Sequence, residues 1–512
     1  MRESGTPPVQ PLAWGLVLIP AVIQFLLHVL TNGNYGIFRD EYYYLACADR
    51  LAWGYVDQPP LSIWILAAWK AVFGASIHSI RLLPALSGSV LIVLTGAVAA
   101  RLGGGRWAQL FSAVASGIGA AGLVLCGFYS MNSYDFLVWT GAYYLLVRIA
   151  RTGDGAAWPW MGLLLGLGLF NKIGVLVFGA ALAAGLIATK HRRHLADWRL
   201  WAAGALALLF VLPYVLWNVG HDWATLEFIE NAKRYKIASI SPVGFLAENI
   251  LEANPLTFPL WIGGLAWLLF ARSARTFRII GVMVVLTWVC LVLQKSKPYY
   301  FASSAPVLMA AGGVAWEQWT DGRRWRWARW TVLATLLVGM VVFLPIAIPV
   351  LSPASLDAYQ KRLGIAPNTG EVNVAGQLPQ YFSDRFGWEE LARTVSEVYL
   401  DLPQDEQLRA VVLGQNYGQS GALEYWSRRY ELPPVYGYHN NYWIWGPPDV
   451  DEGVVVIAVN LDRELLEQEF DEVVDAGVAE TPWARESHMT VRICRGLKRP
   501  IHDVWDEIRL FI

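Results

Sequence analysis

The chain has 512 residues, is 55% hydrophobic and 16% charged, and carries a net charge of −1; its mean hydropathy is +0.37. That composition excludes an ordinary water-soluble protein, and no nucleic-acid partner is expected. The net charge hides a split: residues 1–351 hold 26 Lys and Arg against 15 Asp and Glu, a balance of +11, and residues 352–512 hold 14 against 26, a balance of −12.

In chain order, MRESGTPPVQ leads into an apolar run with no small-residue cleavage site after it, so that run is read as an uncleaved first helix. About eleven membrane-spanning helices are expected, near residues 12–31, 78–99, 107–129, 134–150, 157–170, 173–189, 199–219, 255–271, 279–294, 300–316 and 330–351. The fifth and sixth are short and read as a tilted hairpin with Asn171 and Lys172 at its tip. Between the first two, LSIWILAAWKAVFG is apolar and too short to span; it reads as an interfacial helix with Trp64 and Trp69 at headgroup level. Residues 220–254 form a second long loop.

Alternate turns carry Arg101/Arg106, Arg148/Arg151, Lys190/Arg192/Arg193, Arg272/Arg275/Arg278 and Arg323/Arg324/Arg326. These are the cytoplasmic turns by the positive-inside rule. The N-terminus is then cytoplasmic and the acidic tail extracytoplasmic, in a bacterial inner membrane. The expected architecture is a polytopic helical membrane domain, 1–351, followed by a soluble α/β domain, 352–512, with its boundary near Pro349–Pro353. In the tail, VVLG at 411–414 and GVVVIAV at 453–459 read as strands. GALEYWSRRY at 421–430 and LDRELLEQEFDEVV at 461–474 read as helices, the latter on a face of Leu465, Leu466, Phe470 and Val473. Asp449-Val450-Asp451 reads as a turn, and Gly103-Gly104-Gly105 as a flexible cytoplasmic turn.

The opposite side of the membrane collects Asp40, Glu41, Asp57, Asp135, Lys172, His221 and Lys297. Ionisable groups gathered at one membrane surface mark a reaction centre. Asp40 and Glu41 are adjacent, and successive helical residues diverge by roughly 100°. One of them is available to a substrate, and the other is held by an arginine or caps the following helix. In Tyr55-Val56-Asp57-Gln58-Pro59-Pro60 the double proline fixes a rigid turn that places Asp57 and Gln58. Asn132-Ser133-Tyr134-Asp135 opens the fourth span; its aspartate is either a helix cap or a site residue. Lys172 interrupts an apolar stretch, as a snorkelling lysine or as an anion ligand. Lys295 and Lys297 place positive charge outside, against the general rule, where an anionic lipid phosphate would account for it. The sequence contains no Walker loop, GxSxG, HExxH or Cys/His metal spacing, and the spacing of its four cysteines indicates no disulfide framework.

These segments, in this order, resemble the GT-C membrane glycosyltransferases. The resemblance is to the bacterial branch of the dolichyl-phosphate-mannose protein mannosyltransferase family, which includes the aminoarabinose transferases of lipid A. It rests on Arg39–Tyr44, Tyr55–Leu61, Asn132–Asp135, Gly168–Lys172 and Ser296–Tyr300, with Tyr417–Leu423 and Gly437–Pro447 in the tail. The resemblance implies an inverting transfer from a polyprenyl-phosphate sugar to an acceptor hydroxyl on a lipid, a glycan or a protein. It implies a catalytic pair Asp40 and Glu41, with Asp40 as base. Donor-phosphate binding falls to Lys172 and Lys297 with Tyr55 and Gln58. Substrate binding falls to Asp57, Asp135, Asn132, His221, Tyr299 and Tyr300. Where the family places a lysine before the double proline, this chain has Gln58, so the two lysines carry the phosphate. Tyr43 stands where the aminoarabinose branch has an arginine, which points away from that sugar. No cofactor is required if lysines neutralise the phosphate, although an acidic pocket could bind a divalent cation. The rival readings are a lipid-linked sugar flippase and a non-catalytic membrane scaffold.

Overall fold

The structure is a computed structural model that describes residues 7–367, 371–372, 376–450 and 453–512. Residues 1–6 of the N-terminal segment, and Asp451 of the expected turn, lie outside the described residues. The chain divides into two compact units: Met1–Asn32, His78–Leu216 and Ile237–Val350 in the first, and Gly33–Ile77, Trp217–Lys236 and Leu351–Ile512 in the second. The segments 33–77 and 217–236, read from sequence as part of the membrane block, pack with the tail.

The first unit is helical. Among the described residues, five helices are long and apolar enough to cross a membrane: Trp14–Thr31, Ile77–Leu102, Trp198–Val219, Arg275–Leu293 and Arg323–Ala347. Two bent pairs raise the number to seven: Val175–Ala188 with Lys190–Ala196, at 109°, and Pro242–Glu252 with Pro255–Phe270, at 96°. This is a multi-pass membrane protein.

The other expected spans are helical but shorter or broken. The expected 107–129 span divides into Arg106–Ile118 and Ala120–Leu125. The break is at Gly119, whose ψ of 121° leaves the helical region, in a stretch whose glycines weaken the helix. The 300–316 span begins as a 3-10 turn, Pro298–Ser304, before the helix Ala305–Trp319. The short fifth and sixth helices are Trp158–Asn171 and Val175–Ala188, with Lys172 at the C-cap between them. Leu61–Phe73 is a 13-residue apolar helix, as expected. The glycine turn at 103–105 is packed rather than flexible. Gly103 caps its helix at φ 98°, a Cβ on Gly104 would stand 2.6 Å from that of Ala108, and the Glu317 carboxylate accepts from the Trp107 N–H at 3.0 Å.

In the second unit, the tail folds around a five-stranded sheet of order β2-β1-β3-β5-β4. The strands are β1 (Ala410–Gly414), β2 (Val435–Gly437), β3 (Val455–Val459), β4 (Phe470–Glu480) and β5 (His488–Leu497). β1 pairs in parallel with β2 and β3, and β5 pairs antiparallel with β3 and β4. β1 and β3 are buried throughout, because the sheet is covered on both faces. Val412, Val455, Ile457 and Val459 pack under Trp388, Leu391 and Val395. Val411, Leu413, Val456 and Ala458 pack under Leu466, Ile501 and Trp505.

The strands expected at 411–414 and 453–459 and the helix beginning near 421 correspond to β1, β3 and Tyr417–Trp426. The helix expected over 461–474 is corrected: it covers only Arg463–Glu469, and Phe470 and Val473 lie in β4, paired with Leu497 and Cys494 of β5. The helical periodicity of that run is outweighed by an antiparallel ladder whose partner is distant in sequence.

Two helices of this unit meet closely. A Cβ on Gly421 would stand 3.0 Å from the Tyr42 backbone carbon and 3.1 Å from the Tyr43 nitrogen. Glycine there lets Tyr417–Trp426 lie against Arg39–Asp49 without a side chain between them. Gly421→Val should therefore destabilise this unit by about 1–3 kcal/mol, read as a lowered melting temperature. An unchanged melting temperature would contradict this packing.

Candidate active site

The residues singled out from sequence fall into both units. In the second, the site grows from the start of the helix Arg39–Asp49. The chain enters through Gly36, at φ +92°, where a Cβ would stand 2.9 Å from the Arg385 carbonyl oxygen. Glu41, three residues into the helix, is fully buried. Its carboxylate accepts the Phe38 backbone N–H at 2.9 Å, closing the capping box. The adjacent carboxylate turns outward: the Asp40 side chain is 36% exposed and accepts a hydrogen bond from the Tyr417 hydroxyl at 2.9 Å. Of the two acidic neighbours, then, Glu41 holds the helix and Asp40 is presented. A carboxylate with no exposed surface touches no substrate in this conformation, which corrects the catalytic role expected for Glu41.

Arg39 fixes Asp40 from the other side. Its guanidinium lies 3.7 Å from Asp40, 3.9 Å from Asp384 and 3.8 Å from Glu486, and its carbon stands 5.2 Å from the centre of the Tyr417 ring. Arg485 bonds Asp384 at 2.5 Å, and Gln419 donates to Glu486 at 2.9 Å. The buried part of this network is the Arg39–Asp384–Arg485 set, where removing one member strands the others' charge; Asp40 sits at its exposed edge.

Asp57 is half-buried. Tyr43 donates its single hydroxyl hydrogen either to Asp57, at 3.1 Å, or to the Asn441 side-chain oxygen, at 2.9 Å. That same oxygen accepts the Val56 N–H at 2.8 Å, which ties the double-proline loop to the tail. Burial pushes the Asp57 carboxyl up to about 6, with the Asp40 charge adding to the rise, against the pull of its hydrogen bonds to its own backbone and to Tyr43.

The remaining members of the loop are structural or unpaired. Tyr55 is fully buried, and its hydroxyl is occupied by the Cys47 and Arg50 carbonyls and the Ala52 N–H. Gln58 is also fully buried, and neither of its amide atoms has a hydrogen-bond partner among the described residues. An unmet buried amide costs about 1–3 kcal/mol unless a water or ligand completes it.

The tail's share of this cluster sits at the carboxyl ends of parallel strands, where α/β sheets present functional groups. Asn416 and Tyr417 follow β1; His439, Asn440 and Asn441 follow β2. His439 lies 4.9 Å from Tyr417, ring to ring, and its Nε2 faces the Ile512 carbonyl oxygen at 2.8 Å. Burial holds it down to about 3, so it is neutral and Nε2 carries the hydrogen donated to that carbonyl. Arg39, Tyr43, Tyr417, His439 and Asn441 were not assigned from sequence as site residues. The signal was the polar, glycine-bearing Tyr417–Leu423 and Gly437–Pro447 segments inside an otherwise ordinary α/β pattern.

The first unit carries a second cluster. The Lys172 ammonium donates to Asn132 Oδ1 at 2.8 Å, lies 3.8 Å from Asp135, and sits over the rings of Tyr300 and Tyr299 at 4.4 and 5.7 Å. Asp135 accepts from Ser303 at 2.9 Å through Oδ2; its Oδ1 is buried with no hydrogen-bond partner among the described residues. Asn171 anchors the hairpin tip by donating to the Met131 carbonyl at 2.9 Å. Five expected residues, Asn132, Asp135, Lys172, Tyr299 and Tyr300, are therefore brought together around one ammonium. Lys297 is half-buried at the N-cap of the turn that carries the two tyrosines.

His221 joins neither cluster. It stacks on Trp217 at 4.2 Å and bonds that residue's carbonyl through Nδ1 at 2.7 Å. Among the described residues no group of three or more His, Cys, Asp or Glu could hold a metal ion.

Residues 57–217 match the dolichyl-phosphate-mannose-protein mannosyltransferase family. The lipopolysaccharide core galacturonosyltransferase RgtB of Rhizobium johnstonii is 24% identical over 285 residues, which are 54% of this chain and 56% of that protein. The chain thus spans about half the length of the curated relative it matches. ArnT from Cupriavidus metallidurans superposes in its apo state over 94% of this chain and 98% of its own, with a TM-score of 0.62 and 15% identity. Its undecaprenyl-phosphate-bound state covers the same shares, with a TM-score of 0.58 and 15% identity. These matches relate residues 57–217 to the mannosyltransferase family, and the ArnT structures show the fold of the chain.

The Asp57 shift has a sign. A carboxyl that binds its proton more tightly folded than unfolded favours the fold at low pH, and that contribution is lost as pH rises from 3.8 through about 6. Asp57→Asn should remove the loss, so its melting temperature should gain on wild type between about pH 4 and 7. A difference that stays flat with pH would contradict the burial of Asp57.

Proposed function

We propose that this protein is an inverting transferase that moves a sugar from a polyprenyl-phosphate donor to an acceptor hydroxyl at the outer face of a bacterial inner membrane. The observation that carries the reading is the division of labour at Asp40-Glu41: one carboxylate is sealed into the helix cap, and its neighbour is exposed and oriented by Tyr417 and Arg39. An exposed, oriented carboxylate is what a general base needs, and such a base contributes roughly 100- to 10,000-fold. Asp40 takes the acceptor's hydroxyl proton as that oxygen attacks the anomeric carbon. The carbon–phosphate-oxygen bond breaks with inversion, and the lipid phosphate leaves as a stable anion.

The leaving phosphate needs cations rather than an acid. We assign that work to Lys172, held ready by Asn132, Asp135 and two aromatic rings, with Lys297 beside the same turn, and the scheme needs no metal. The half-buried Asp57 is assigned to orienting the acceptor. The eleven-span topology, with a cytoplasmic N-terminus and an extracytoplasmic tail, is supported by the basic turns. The undecaprenyl phosphate in the ArnT structure and the lipopolysaccharide acceptor in the name of RgtB favour a polyprenyl carrier and a glycan or lipid acceptor. No feature favours the flippase or scaffold readings over this one.

The test is to incubate purified protein with radiolabelled polyprenyl-phosphate sugars and bacterial lipopolysaccharide, and to determine the product's anomeric configuration by NMR. Transfer from one donor, with inversion, is expected. Retention of configuration, or neither transfer nor saturable donor binding across the panel, would contradict the reading.

A further inference from the structure

The second unit contains a recess of about 220 Å³ that the scheme above does not use; its lining includes His221, Asp222, Glu227, Trp443, Arg509 and Phe511. The chain reaches it through two successive non-glycine residues in the left-handed region, Asp222 at φ 51° and Trp223 at φ 59°, a conformation costly for a tryptophan. The helix Ala224–Asn231 follows. Trp443 and Phe511 meet edge to face at 5.6 Å. The Arg509 guanidinium lies over both, 5.3 and 5.4 Å from their centres, and binds Glu227 at 3.1 Å. Because His221 commits Nδ1 to the Trp217 carbonyl, its Nε2 is the nitrogen left for a ligand. Asp222 is exposed.

A guanidinium, an imidazole and two carboxylates beside aromatic edges suit an array of hydroxyls. Carboxylates and the His221 Nε2 accept from hydroxyls, Arg509 donates to their oxygens, and the aromatic wall takes the apolar face of a ring. Arg509 is already matched by Glu227, so Asp222 leaves the recess negative and a phosphate is disfavoured there. The recess also shares a wall with the double-proline loop: Val56, next to Asp57, packs with Ala224, Phe511, Trp443 and Ile444. One short helix, Asn441–Ile444, puts Asn441 on Tyr43 and Trp443 and Ile444 in the recess.

We propose that this recess is a saccharide-binding subsite for an uncharged sugar ring of the acceptor glycan. The acceptor role rests on the transferase reading; saccharide binding does not. The test uses the full-length protein in lipid nanodiscs without donor. It is screened on an array of bacterial surface oligosaccharides, and the best binder is then titrated by tryptophan fluorescence. Wild type should bind saturably. Asp222→Asn, an exposed change that leaves the fold intact, and Glu227→Gln should each weaken binding about tenfold or more, with melting temperatures as controls. Where transfer is seen, both variants should raise the acceptor KM by a similar factor and leave kcat within about twofold. No oligosaccharide bound by wild type, or equal binding by both variants, would overturn the subsite and leave the transferase reading standing. Saccharide binding without transfer from any donor would keep the subsite and remove the transferase reading.

Discussion

The second unit depends on how closely the helix Tyr417–Trp426 lies on the helix Arg39–Asp49. Gly421 removes the side chain that would separate them, and Gly418 leaves the space that Arg39 fills, since a Cβ there would stand 2.2 Å from Arg39 Cγ. That approach has a chemical consequence. With the backbones this near, the Tyr417 hydroxyl reaches Asp40, its ring lies against Arg39, and Tyr42 and Tyr43 are buried beneath. The two carboxylates at 40 and 41 are chemically similar. Helix geometry alone separates them, sending Glu41 into the cap and Asp40 toward solvent.

A different physics governs the helical unit. A lone ammonium in an apolar helical bundle is expensive, and Lys172 is accommodated by four contacts at once: an amide oxygen, a carboxylate and two aromatic faces. The hydrogen bond to Asn132 uses one of its three donors, and the carboxylate at 3.8 Å is beyond hydrogen-bond length. Among the described residues, the cation is thus positioned but not saturated.

Much of this was legible in the sequence, and the reasons for the rest are specific. The basic turns and apolar runs marked a multi-pass protein, and the motifs at 132–135, 168–172 and 296–300 converge on Lys172. The sequence left open which of Asp40 and Glu41 caps the helix, and it cannot choose between neighbours when the outward one meets a hydroxyl 377 residues downstream. Tyr417, His439 and Asn441 were missed for the same reason: they become site residues only because parallel strands deliver them to one edge. The helix misread at 470–474 shows the limit from another side. Phe470 and Val473 fit a helical face by spacing, yet their place is set by pairing with β5, more than 20 residues further on. His221 was grouped with the reaction centre by its position in a loop; the structure instead stacks it on Trp217 and bonds it to that residue's carbonyl.

The central claim is that Asp40 acts on the substrate and Glu41 acts on the fold. The most direct measurement compares Asp40→Asn with Glu41→Gln, reading melting temperature and transfer rate per folded molecule in the same preparation. The account predicts opposite profiles: Asp40→Asn keeps the melting temperature and loses about 100-fold or more of the rate. Glu41→Gln loses about 0.5–2 kcal/mol of stability and keeps most of the rate. A Glu41→Gln variant that is stable and inactive, or an Asp40→Asn variant that still transfers sugar at the wild-type rate, would contradict it.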